Sequence, residues 1–303
     1  MLVSIIIPTY KRVGMLDRAI KSCLNQTYKN IEIIIVDDNN NDTEDRKMTE
    51  AFMQKYDNNI KIKYIKRDKN GGGALARNTG IAASSGDYIA FLDDDDTFYS
   101  SKIESQLEFM IKNNLDASFT ASETYDEKQK KIIKTTDYKN IKKYKSLFVF
   151  HLVEMIISTQ TFMYKKSVLK DINNFENVPG GQDYYLMYKT LYKNFKVAYL
   201  PKVFTTIYIH TGERITTKNT KLAAENFLYN LKMRSKKKLT YSQIRYIKYI
   251  YKRNVYHYYK DTNQFLKTWW YLALILANHP IILIKGVIKE HGYEKNISNN
   301  TNI

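Results

Sequence analysis

The chain has 303 residues, 44% of them hydrophobic, enough for one large domain with an extension or for two modest ones, and this excludes wholesale disorder. Its single cysteine, Cys23, excludes an intramolecular disulfide framework and fits a reducing compartment. The formal charge of +17 favours anionic partners such as nucleotides, nucleic acid or an anionic membrane, although a bias toward Lys, Asn, Ile and Tyr is also what AT-rich coding produces.

Leu2 to Ile7 is apolar, carries no basic leader and meets Pro8, so it reads as a first strand rather than a signal segment. Met15, Leu16, Ala19, Ile20, Cys23 and Leu24 then form a helical stripe. Ile31–Val36 is a second strand that ends in Asp37-Asp38, a helix follows from about Glu44 to Tyr56, and Ile60–Ile65 is a third strand. Gly71-Gly72-Gly73 opens a small-residue helix over Ala74 to Ala83, and Tyr88–Leu92 is the fourth strand. This alternation predicts a mostly parallel sheet covered by helices on both faces.

Further on, Ile103, Leu107 and Met110 predict a helix and Ala117–Ser122 a strand, with Glu123 to Lys145 a hairpin or mobile loop. Gln160–Tyr164 is another strand, Asp183–Tyr192 a helix, and Val197–Leu200 and Val203–Ile209 are strands flanking Pro201. Between Phe227 and Lys260 there is no acidic residue among many Lys and Arg, and Thr240 with Gln243 forms a capping-box pattern. We therefore expect a catalytic α/β domain over 1–220 and a basic, aromatic helical extension over 221–303. No segment offers the roughly 20 uninterrupted apolar residues of a spanning helix, since Trp269 to Ile284 is broken by Asn278, His279 and Pro280.

The chemistry concentrates at strand ends. Asp93-Asp94-Asp95-Asp96 follows the fourth strand directly, and four carboxylates beside a hydrophobic core repel one another and carry a desolvation cost. A hard divalent cation that also takes substrate phosphates removes that cost. Pro8-Thr9-Tyr10 and Asp37-Asp38 close the first two strands, so the three motifs converge where open α/β sheets bind ligands. The glycines before Arg77 suit a diphosphate at a helix start, although no Gly-Lys-Ser/Thr follows them.

Five motifs in order, "SIIIPTYKR", "IEIIIVDDNNND", "NGGGALARNTGIAASSGDYIAFLDDDDTF", "GGQDYYLMYK" and "YIHTGERIT", resemble the inverting family 2 glycosyltransferases of GT-A fold. The resemblance runs from Val3 to about His210. It implies that Pro8, Tyr10 and Asp38 contact the nucleotide base and that Arg77 lies near the phosphates. Asp93, Asp95 and Asp96 match the Asp-x-Asp-Asp pattern, with Asp95 and Asp96 nearest ribose and metal, and His210 is a further candidate for metal or diphosphate. Asp183 matches the general base, with Gln182 where the family commonly has Glu.

The implied reaction moves a sugar from a nucleotide-diphosphate donor, a UDP-sugar by family weight, to a hydroxyl of a glycan or lipid-linked glycan, with Mn2+ or Mg2+ as cofactor. Single displacement needs no protein nucleophile. A sugar nucleotidyltransferase would need a basic glycine-rich signature after the first strand, where Lys11-Arg12-Val13-Gly14 is a poor version. A nucleic-acid surface in the basic extension is the other rival, but Ile and Leu at core spacing favour packed helices, and no nucleic-acid partner is expected. Trp269-Trp270-Tyr271 beside the acid-free stretch predicts a cytoplasmic enzyme held peripherally on an anionic membrane face, the alternative being a helical hairpin packed on the catalytic domain with its apolar face hidden.

Overall fold

The apolar run at the start of the chain becomes the strand β1 (Val3–Thr9), which pairs in parallel with β2 (Ile31–Asp37) on one side and β4 (Tyr88–Phe91) on the other. Val3, Ile5 and Ile7 join Leu16, Ala19 and Ile20 of α1 (Val13–Leu24) in one buried cluster. Ile6, on the opposite face, meets Gly80 of α3 (Gly73–Ala83), where an added Cβ would lie 2.4 Å from Ile6 Cγ2. Helices cover both faces, which is why β1 is buried on both instead of alternating between core and solvent.

The structure is a computed structural model that describes residues 1–209 and 218–278. The chain divides into two compact units, Met1–Asn177 with Gly181–Glu213, and Val178–Gly180 with the chain from Arg214 onward. In the first unit the strand order is β3-β2-β1-β4-β8-β6-β9-β5, with β7 paired to β6. Here β3 is Ile62–Lys66, β5 Thr97–Phe98, β6 Ala117–Asp126, β7 Lys131–Thr136, β8 Phe162–Lys165 and β9 Val197–Ile209. Strands β3, β2, β1 and β4 run parallel, β8 is antiparallel to both its neighbours, and β6 and β9 are again parallel. The expected mostly parallel, helix-flanked α/β sheet is what forms. Helices α2 (Glu44–Met53), α4 (Lys102–Lys112), α5 (Leu147–Glu154), α6 (Lys166–Asp171) and α7 (Gln182–Tyr192) complete the unit.

Two local differences from the sequence reading have simple causes. The strands expected on either side of Pro201 are one strand, because Thr120 pairs with Leu200 and Ala121 with Val203. Pro201 and Lys202 bulge out of that register, so the missing proline N–H interrupts pairing without ending the strand. α5, with the sequence LFVFHLVE, is apolar on every side and gives no helical period to read.

The second unit contains α8 (Lys218–Arg234), α9 (Tyr241–Asp261) and α10 (Phe265–Asn278). The capping box forms, with the Gln243 N–H on Thr240 Oγ1 at 3.3 Å and the Thr240 N–H on Gln243 Oε1 at 2.9 Å. Tyr229 stacks on Tyr251 at 4.2 Å between ring centroids, and Tyr259 packs on Tyr271 at 5.6 Å. No helix among the described residues is long and apolar enough to cross a membrane.

Candidate active site

The acidic tetrad leaves β4 in a tight turn, closed by the Asp96 N–H on the Asp93 carbonyl oxygen at 3.1 Å. Asp94 and Asp96 are buried, while Asp93 and Asp95 are half-exposed. Asp94 accepts from Thr9 Oγ1 at 2.8 Å and from the Tyr10 N–H at 3.4 Å. Burial first, and then the Asp95 charge, push the Asp94 carboxyl up to about 7, against the pull of Arg12. Asp96 accepts from Gln160 Nε2 at 2.8 Å and from the Tyr208 N–H at 3.0 Å. Its carboxyl is also raised well above the ordinary range, by burial and then by Asp93 and Asp95.

The outward pair faces arginines. Arg12 Nη1 lies 2.6 Å from Asp95 Oδ2, and Arg77 Nη2 bonds Asp93 Oδ1. Arg77 Nε is buried with no hydrogen-bond partner among the described residues. The resemblance expected Asp95 and Asp96 nearest ribose and metal; in the turn Asp95 is half-buried beside Arg12, whereas Asp96 is buried on Gln160 and the Tyr208 N–H.

At the end of β2, Asp38 is 2% exposed and thoroughly satisfied. It accepts the Gly72 N–H at 2.8 Å, the Gly71 N–H at 3.1 Å and Asn70 Nδ2 at 3.0 Å, and it pairs with the Arg67 guanidinium. Gly72 sits at φ +82°, where a side chain would be strained. The glycines thus let the loop fold onto Asp38, a role the sequence reading had given to phosphate approach. Pro8 lies in β1 opposite Val36, and Tyr10 follows the strand with its ring half-exposed. Asp37 is buried as well: it binds Tyr64 Oη and Arg46, and burial raises its carboxyl.

Asp183 stands in the first turn of α7. Its Oδ2 accepts the Ser158 N–H at 2.7 Å and its Oδ1 the Tyr184 N–H at 2.8 Å. Its neighbour Gln182 reaches the start of α3: a Cβ on Gly73 would lie 2.8 Å from Arg77 Nη1 and 3.8 Å from Gln182 Oε1. So Gln182 brings the start of α7, with Asp183, beside the Arg77–Asp93 pair at the carboxyl edge of the sheet. His210 lies outside the described residues.

Arg12, Arg67 and Gln160 carried no role in the sequence reading. Register would have exposed Arg67, because Asp37 pairs with Lys66 and the next residues on the two strands are therefore neighbours. Arg12 and Gln160 give no local signal, since their carboxylate partners stand 83 and 64 residues away.

Among the described residues no three His, Cys, Asp or Glu side chains surround a metal position. Asp93 and Asp95 nevertheless suit a cation that takes one or two carboxylates and completes its shell with substrate phosphate and water. Their hard oxygens, crowded by Asp94 and Asp96, are the donor set such an ion prefers.

Comparison with known proteins agrees with this geometry. The family model for glycosyl transferase family 2 matches residues 4–172. A glycosyltransferase of Rickettsia conorii is 38% identical over 197 residues, 63% of this chain but only 30% of that protein's length. The GalNAc(5)-diNAcBac-PP-undecaprenol beta-1,3-glucosyltransferase of Campylobacter jejuni is 29% identical over 266 residues, 87% of this chain and 82% of the relative. Among solved structures, S. aureus TarS residues 1–349 with UDP-GlcNAc aligns with a TM-score of 0.60 at 17% identity, covering 84% of this chain and 82% of that one. A Pyrobaculum calidifontis mannosyltransferase in complex with GDP-Man and Mn2+ aligns with a TM-score of 0.58 at 13% identity, over 94% and 79%. At these identities the structural likeness is one of fold.

Proposed function

This chain belongs to glycosyltransferase family 2, and from that we propose that it transfers a sugar from a UDP-sugar to a hydroxyl of a lipid-linked glycan, with inversion at the anomeric carbon. The observation that carries the reading is the crevice at the carboxyl edge of the sheet: Asp183, aimed by two backbone N–H groups, stands one residue from Gln182 at the Arg77–Asp93 pair. The Campylobacter relative is named for an undecaprenol-diphosphate acceptor, which supports a lipid-linked acceptor here.

Asp183 is the general base. Each of its oxygens spends one lone pair on an N–H, which fixes the carboxylate plane and leaves the other lone pairs to take the acceptor hydroxyl's proton as the glycosidic bond forms. Arg77 and Arg12 supply positive charge where the diphosphate leaves. Asp38, Pro8 and Tyr10 define the end of the crevice that receives the base and ribose. Asp93 and Asp95 would hold Mn2+ or Mg2+, with Asp96 and His210 as further candidates, and the ion would neutralise charge on the departing diphosphate.

Peripheral membrane attachment through the second unit is part of the same reading. Leu266, Trp269, Trp270, Ala273 and Leu276 of α10 recur at helical spacing, and all five are exposed. Trp at a membrane interface satisfies both an apolar ring and a polar N–H. The acid-free basic stretch would add on the order of 1 kcal/mol per Lys or Arg near an anionic leaflet.

A panel of nucleotide-sugars tests the donor reading directly. Manganese-dependent release of UDP from one UDP-sugar, stimulated by an undecaprenol-diphosphate glycan, is the expected result. Release of pyrophosphate from a nucleoside triphosphate and a sugar phosphate would make the protein a nucleotidyltransferase instead.

A further inference from the structure

α5 carries in its last turn a buried histidine that the mechanism does not use. His151 is 0% exposed, stacked on the Tyr184 ring with 4.1 Å between centroids. Its Nδ1 lies 3.1 Å from the Ile156 backbone nitrogen and its Nε2 lies 3.1 Å from the Tyr184 carbonyl oxygen. A backbone N–H only donates and a carbonyl only accepts, so these partners fix the ring as the neutral form with the proton on Nε2.

The two partners belong to the two elements that meet at Asp183. Tyr184 follows Asp183 in α7. Ile156 belongs to a bend in which Met155 sits at φ +63° and Ser158 at φ +81°, both in the left-handed region that non-glycine residues avoid. At the end of that bend the Ser158 N–H reaches Asp183 Oδ2, and two residues later Gln160 reaches Asp96. The Ile157 carbonyl is held by Tyr138 Oη at 3.2 Å. A strained bend persists only where its surroundings over-determine it; His151 and Tyr138 hold its first part, and Thr161 Oγ1, 2.8 Å from the Ser158 carbonyl oxygen, holds its end.

We infer that His151 is a positioning residue for Asp183, clamping the Met155–Ser158 bend to the first turn of α7 so that the Ser158 N–H keeps the carboxylate aimed into the crevice. The inference rests on Asp183 being the general base. Removing the clamp lets the bend relax and the carboxylate rotate, which reduces turnover but leaves the donor site, built on β1, β2 and β4, as it was.

Three variants and one spectrum test this. His151→Leu deletes both ring bonds, and His151→Asn keeps an acceptor near the Nδ1 position. In the full-length protein, His151→Leu should lower kcat about 10- to 100-fold, the usual cost of misplacing a reacting group by an ångström, with the donor KM changed less than about twofold. His151→Asn should recover most of the loss, and His151→Leu should add nothing further in an Asp183→Asn background. A long-range nitrogen NMR spectrum of the wild-type protein should show His151 protonated on Nε2 and bare on Nδ1, a readout that stands even if the leucine variant fails to fold. A folded His151→Leu with kcat within twofold of wild type would overturn the inference. So would an equal kcat loss on top of Asp183→Asn, or an imidazole protonated on Nδ1. If Asp183→Asn alone kept wild-type turnover, the base assignment would fall, and the spectrum would still report the clamp.

Discussion

Replacing Lys102 with methionine should stabilise the protein at neutral pH and not at high pH. Lys102 opens α4 and is 0% exposed, with its Nζ 2.6 Å from Gln106 Oε1 and 4.4 Å from the Phe98 ring centroid. Burial lowers its ammonium from 10.5 to about 7, with the nearby Cys23 opposing the fall. The unfolded chain therefore holds a proton at this position from about pH 7 to 10.5 while the folded chain does not, so stability rises with pH through that window. At about 1.4 kcal/mol per pH unit, the full penalty below pH 7 is roughly 5 kcal/mol. Methionine has nearly the same shape and carries no charge, but it leaves Gln106 Oε1 without this partner, at about 1–3 kcal/mol. The net gain expected at pH 6.5 is about 2–4 kcal/mol, and at pH 9.5, where only roughly 1 kcal/mol of penalty remains, the gain should vanish or reverse. Urea unfolding followed by circular dichroism at the two pH values measures the difference. A methionine variant no more stable than wild type at pH 6.5, or a difference that does not change with pH, would refute the reasoning.

Four further outcomes follow from the geometry. Asp183→Asn should cut transfer at least about 10²-fold, to a residual but measurable rate, and leave UDP-sugar affinity nearly unchanged, since the carboxylate is needed only when the hydroxyl proton moves; turnover near wild type would remove the base assignment. Asp95→Ala should lose the manganese-dependent part of UDP binding in calorimetry, and an undiminished metal effect would transfer the metal role to other residues. Gly80→Ala should lower the urea midpoint by the equivalent of about 1–3 kcal/mol, because the new methyl meets Ile6 Cγ2 at 2.4 Å where helix and strand touch; an unchanged midpoint would show that α3 can move aside. Trp269→Ser with Trp270→Ser should stop the full chain floating with anionic liposomes at low salt, and a double variant that still floats would place attachment elsewhere.

The βα repeat of the first ninety residues was legible because covered parallel strands are uniformly apolar and their helices are not, so the period changes at each boundary. Alternation within the acidic tetrad was not legible. Asp93 and Asp96 are chemically identical in the string, and only the turn after β4 leaves one half-buried and the other buried. The arginine partners were hidden for a different reason. Arg12 reaches Asp95 and Arg67 reaches Asp38 across the sheet edge, a neighbourhood set by strand order, which local pattern does not encode. The tetrad, Asp37-Asp38 and Pro8-Thr9-Tyr10 were legible as strand-end chemistry, whereas the separate roles of Pro8, Tyr10, Asp38, Arg77, Asp93, Asp95, Asp96, Asp183 and His210 came from motif resemblance. In the second unit the capping box at Thr240 was readable because both its halves lie within one helical turn.

One reversed strand has a bearing on how such an enzyme diversifies. Since β8 runs antiparallel between β4 and β6, its beginning lies at the edge where its neighbours end, and the residues just before Phe162 arrive beside the tetrad. The carboxylates of Asp38, Asp93 and Asp95 hang from forward strands within the first hundred residues, whereas Ser158 and Gln160 come to the same crevice from the opposite direction in the chain. On the proposed function, substitutions in the approach to β8 that spare Gln160, and in α7 beyond Gln182, would reshape the acceptor side while Asp38, Asp93 and Asp95 keep their own strands. That separation would let one nucleotide-sugar platform be refitted to many acceptors through two short segments.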